Sequence, residues 1–130
     1  MRTKAAALAL AATITTLIAQ DDTLAGYQPL VTLDPEAAAG ALSADSQLVA
    51  LVVAPTLTYT TWTSLDARFD VHLIAGQPGD MLAAWDILDN ALDALATPLG
   101  ADEAEPASYP NPAGPPWPAY TLTLTQPYQP

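Results

Sequence analysis

The sequence has no cysteine and a single histidine, His72. Without cysteine there are no disulfide staples, no thiolate metal sites and no thiol catalysis. One imidazole leaves little material for metal coordination or general-base work. Cations are nearly as scarce: 3 Lys plus Arg stand against 14 Asp plus Glu, a formal net charge of −11. Three basic side chains cannot track a phosphate backbone, which argues against sequence-independent nucleic-acid binding. No apolar run is long enough to span a bilayer. A Gly-rich phosphate loop, a G-x-S-x-G elbow, an H-E-x-x-H helix and an N-glycosylation triplet are all missing from the sequence. An enzyme would have few residues to stand on, and no cofactor is expected.

What is present is apolar surface. Hydrophobic residues make up 51% of the 130 positions and charged ones 13%, which excludes a wholly disordered acidic chain. The length suits one domain, 1–130, large enough to bury a core. Much of that hydrophobic fraction is alanine, 27 residues, and alanine buries little area. The larger core residues are expected to be the leucines, Trp62, Trp85 and Phe69. Such a core is thin, so contacts between subunits are expected to supplement it.

Met1-Arg2-Thr3-Lys4 followed by Ala5–Ala12 has the outline of a secretory signal. Against that, Thr13, Thr15 and Thr16 interrupt the apolar run, and Leu17 is bulky for a cleavage site. Leu10, Ile14, Leu17 and Ile18 instead share one face of a helix. The spacing favours an amphipathic first helix ending near Asp21-Asp22.

Downstream, Tyr27–Leu33 is a short strand candidate, and residues 36–46 read as a loop or short helical turn. The run LVALVVA at 48–54 suits a strand covered on both faces. Pro55 breaks it before a second strand, TLTYTTWT, at 56–63. From Asp66 to Ala75 the residues alternate, with Ala67, Phe69, Val71 and Leu73 on one side. Gly76-Gln77-Pro78-Gly79 is a turn, and Asp80 a helix N-cap. Met81, Trp85, Leu88, Leu92, Leu95 and Leu99 then predict a helix with one apolar stripe, closed by Pro98 and Gly100. Residues 100–118 form a Pro-rich loop with a brief strand near 104–109, and YTLTLTQ at 120–126 is the last strand. The expected fold is α+β: a mostly antiparallel sheet of four to five strands, with the N-terminal and second long helices packed on one face.

Three groups of side chains are candidates for chemistry. Asp66, Arg68, Asp70 and His72 share a strand face, where a carboxylate could orient the imidazole as a base. A solvated charged face explains the same pattern and needs no nucleophile, which the sequence does not supply. Asp86, Asp89 and Asp93 recur at helical spacing and could hold a hard cation, but a calcium-loop signature is missing. A solvated helix face is the simpler reading, and no metal is expected. Pro115-Pro116-Trp117-Pro118 is either a rigid entry to the last strand or a contact surface, since Trp is enriched at interface hot spots.

The order of elements carries a resemblance. The leading helix, LVALVVAP, TLTYTTWT and DARFDVHLIAGQPGD run into MLAAWDILDNALDALATPLG, then a Pro-rich loop and PAYTLTLT. This pattern, over nearly the full length, resembles the tail terminator proteins of bacteriophages with long non-contractile tails. The resemblance implies a structural virion protein, assembled in the host cytoplasm and located at the neck-proximal end of the tail. Its copies would form a hexameric ring that caps the tail tube, stops its polymerisation and joins it to the neck. The implied partners are further copies of the chain, the major tail tube protein and a neck protein. Genomic DNA would pass through without specific binding, and no membrane is involved. Tyr59, Trp62, Pro116, Trp117 and Tyr120 are the expected interface residues. A head–tail neck component or tube subunit of the same virion is the nearest alternative, and a secreted bacterial binding domain a more distant one.

Overall fold

The computed structural model describes residues 3–44, 46–61 and 64–128. Helix α1 (Thr3–Ala19) is followed by the single turn α2 (Asp22–Ala25), β1 (Leu30–Thr32) and α3 (Pro35–Ser43). Then come β2 (Leu48–Val52), β3 (Thr56–Thr61), β4 (Ser64–Ala75), α4 (Met81–Leu99), β5 (Glu103–Tyr109) and β6 (Trp117–Tyr128). Among the described residues six strands form one mixed sheet, ordered β1-β2-β4-β6-β5, with β3 beside the first half of β4. Only β1–β2 is parallel; every other pairing is antiparallel. The fold is α+β, one strand richer than the upper expectation.

Period-2 alternation along β4 divides the molecule into two cores. On one face Leu65, Ala67, Phe69, Val71 and Leu73 meet α1 and α4, including Ile14, Leu88 and Leu95. On the other, Val49, Leu51 and Ile74 are covered by Ala38 and Leu42 of α3. Strand β2 is therefore buried at all five positions, as its unbroken apolar run requires. Residues 36–46, read as loop or turn, hold most of α3. Asp34 supplies its N-cap, accepting the Glu36 N–H, and Pro35 enters at the first helical position, where its missing N–H costs nothing.

Helix α1 buries Ala7, Leu10, Ile14 and Ile18. Its threonines are accommodated because Thr13, Thr15 and Thr16 each donate a hydroxyl hydrogen to the carbonyl four residues earlier. No helix among the described residues is long and apolar enough to cross a membrane. Helix α4 begins at Asp80, whose carboxylate accepts the Ala83 N–H. It runs through Pro98 rather than stopping there, because a proline in the last turn removes only one helical bond. Gly100, at φ 68°, closes the helix: its N–H meets Thr97, while the Ala101 N–H reaches Ala96.

Within 100–118 the brief strand expected near 104–109 is β5, Glu103–Tyr109, and the Pro-rich loop is confined to 110–116 before β6. Pro106 fits because β5 is the sheet edge, where an N–H can be lost without breaking a ladder. Pro118 fits because the β4–β6 ladder ends at Ala119. Trp117, expected in the loop, starts β6 and lies 3% exposed in the smaller core. It takes the core place expected of Trp85, which is 50% exposed. Trp62 lies outside the described residues.

Candidate assembly surface

The buried stripe of α4 is Ala84, Ile87, Leu88, Ala91 and Leu95. It keeps Leu88 and Leu95 of the expected stripe, with Leu92 and Leu99 half-buried against the same core, and adds Ala84, Ile87 and Ala91. The first two turns are left with uncovered apolar side chains. Met81 is 61% exposed and Leu82 75%, and both stand beside Trp85. Below them a shallow cavity of about 210 Å³ is lined by Met81, Trp85, Leu88, Pro106, Pro118 and Tyr120. It lies between α4 and the β5–β6 edge. Asp86 and Asp89 are exposed on α4, and Asp89 sits one helical turn beyond Trp85.

The five expected interface residues do not come together. Tyr120 lines this cavity, while Trp117, one pleat away on the opposite face of β6, packs 6.4 Å from the Tyr109 ring. It belongs to the protomer's own interior, so Trp117 is corrected from a free contact to a core residue. Pro116 is exposed in the turn before β6. Tyr59 is 69% exposed on β3, at the far end of the sheet. The residues missed were Met81, Leu82 and Trp85. The available signal was the second apolar stripe, Ala84–Ile87–Ala91, which competes with theirs for the sheet.

The sheet face not covered by α1 and α4 carries the charged residues of β4. Arg68 Nε lies 3.5 Å from Asp70 Oδ1, and the Thr123 hydroxyl donates to the same oxygen at 3.3 Å. His72 Nδ1 meets the Thr121 hydroxyl at 2.9 Å, not a carboxylate, so the geometry sets up no Asp-oriented base. The exposed Arg68–Asp70 pair contributes little to stability. Asp86, Asp89 and Asp93 all face solvent, and among the described residues no three ionisable ligands cluster as a metal site.

On β5, Glu103 and Glu105 share the face that carries Thr121 and Thr123. The neighbouring Glu105 carboxyl, through hydrogen bonding to the protonated form and repulsion of the charged one, raises the Glu103 carboxyl from its ordinary value. A raised folded-state value means that stability is fully present below the unfolded pKa and lost as pH rises through the folded one. Glu105→Gln is therefore expected to melt slightly higher than the parent at pH 7. The difference should shrink as the pH is lowered from 7 into the acid range and Glu103 takes up its proton, which removes the repulsion. Parallel thermal melts across that range check it, and an equal gain at both ends would refute the repulsion.

No family model matches the chain, and no curated protein or solved structure matches it.

Proposed function

We propose that this protein is a structural virion component, the tail terminator of a bacteriophage with a long non-contractile tail. Six copies close head to tail into a ring on the end of the tail tube, stop its polymerisation and join it to the neck. The observation that carries this reading is the uncovered apolar surface around Trp85, with Met81 and Leu82 more than half exposed. A folded domain with two filled cores has no internal use for that surface, and exposed apolar patches mark association sites. The patch lies on one edge of the sheet only, so contacts between copies are either isologous across a two-fold or heterologous around a ring.

Charge supports the same role. DNA leaving the capsid must pass through such a ring without sticking. A chain with 14 acidic and 3 basic residues repels phosphate along most of its surface. Asp66, Asp70, Glu103 and Glu105 give the sheet face opposite α1 and α4 that character, with Arg68 the cation among them.

Imaging of the purified full-length protein with and without isolated tail tubes tests the proposal. The expected result is six-fold rings seated at tube ends, with tube growth halted on their addition. Indefinite tubes built from the protein itself would assign it to the tube, and failure to bind tube ends would refute termination.

A further inference from the structure

Among the described residues positive charge is concentrated at one place besides Arg68: the start of α1. Lys4 is exposed there, the first turn holds no acidic residue, and the helix dipole adds its own positive end. Arg2, outside the described residues, brings the second of the chain's three cations close by in sequence. Lys4 lines an open groove of about 210 Å³ with Ala7, Leu33, Val52, Ala54 and Pro55. The nearest acid in sequence to that lining is Asp34, the N-cap of α3, so one acid stands there against the exposed cation Lys4.

This groove lies between the start of α1, Leu33 just past β1, and the end of β2 with the loop after it. It is on the β1–β2 side of the sheet, whereas the Trp85 surface lies on the β5–β6 side. The molecule therefore has an apolar knob rimmed by Asp86 and Asp89 on one side and an apolar groove rimmed by Lys4 on the other. We propose that a second copy of this chain occupies the groove, its α4 knob entering beside Lys4. The contact is heterologous and repeats in one direction, so it closes rings or grows filaments and cannot make a two-fold dimer. Taking a second copy as the occupant rests on the ring reading above; the choice of surfaces rests on charge.

The same side offers a competing recess, about 410 Å³, at the other end of α1 among Ile18, Ala25, Pro29, Leu30 and Val31. Its surroundings are wrong for this knob. Asp21 and Asp22 stand beside it, two acids with no basic residue in its lining. An acidic rim is repelled there and attracted at Lys4. Direct strand addition is disfavoured too, since the open β5 edge carries Glu103, Glu105 and Pro106.

The test is a charge swap read by sedimentation of full-length protein over a concentration series. Lys4→Glu and Asp89→Lys are both exposed positions, so thermal melts should stay close to the parent. Each single variant is expected to weaken assembly by about tenfold or more, the scale of a close interfacial charge pair. The double variant K4E/D89K should regain most of that loss. A one-to-one mixture of the two single variants should also assemble, because every joint in an alternating ring then pairs opposite charges. Rings whose concentration dependence is unchanged in both single variants would overturn these surfaces and leave termination standing. A parent protein that stays monomeric, alone and on tube ends, would overturn both.

Discussion

Replacing Phe69 by alanine is expected to remove about 3–5 kcal/mol of folding stability, the usual range for truncating a buried aromatic. Phe69 is the chain's single phenylalanine and is fully buried at the middle of β4. It faces α1 and α4 in a cluster whose other buried members are aliphatic, several of them alanine. Alanines cannot fill the space a lost ring leaves, so much of the cavity would persist. A domain of this size is typically stable by about 5–15 kcal/mol, which makes this loss a large fraction of the total. The melting temperature should fall by roughly 10–20 °C. Chemical and thermal denaturation followed by circular dichroism at one fixed protein concentration would measure it, because assembly makes the midpoint concentration-dependent. A loss under about 1 kcal/mol would mean that the neighbouring side chains collapse into the space.

The second large effect comes from one methyl group. Gly76→Ala is expected to destabilise by about 3 kcal/mol, the upper part of the range for overpacking. A Cβ at Gly76 would run into the backbone carbonyl of Ser46. Neither side can move freely. The Gly76 N–H is bonded to the Gln47 carbonyl at 3.0 Å. The Ser46 hydroxyl donates to the Gln28 carbonyl at 2.9 Å and bonds the Leu48 carbonyl at 3.0 Å. Gln28 itself stands at φ 53°, so three segments are locked at this corner and the clash must be absorbed by backbone. Gly40→Ala is the control. Gly40 is exposed in α3 with nothing near a Cβ, and alanine there should stabilise by about 0.5–1 kcal/mol. Opposite signs for the same substitution would separate the clash from glycine's entropy, and matching signs would refute the close approach.

Much of the fold was legible because its local signals agree with its tertiary environment. The β4 alternation, the Asp80 cap, the Gly100 closure and the α1 face each rest on short-range physics. Where a reading differed, a longer-range fact intervened. The last strand was read from 120, but β6 starts at Trp117, because the β4–β6 ladder ends at Ala119 and leaves Pro118 no bond to break there. The start of the α4 stripe, Met81 and Trp85, looked buried but is exposed, and Ala84, Ile87 and Ala91 face the core beside Leu88 and Leu95, which are buried as read. Trp117 looked like a contact, and strand parity turned it inward beneath α3. The candidate surface was half legible through Tyr120, while its centre at Trp85 was read as core.

By itself the sequence determined the α+β class, the lack of thiol chemistry, the acidic composition and the long helices and main strands, though not α2 or α3. Composition and periodicity are properties of the chain and survive any arrangement of it. Only the tertiary structure decided which tryptophan is inside and which uncovered. It also brought Lys4 beside the end of β2 and Trp85 beside β5 and β6, on opposite sides of the sheet. Those outcomes depend on how a helix rotates against a sheet and which strand takes the edge. Both are settled by competition among side chains distant in sequence.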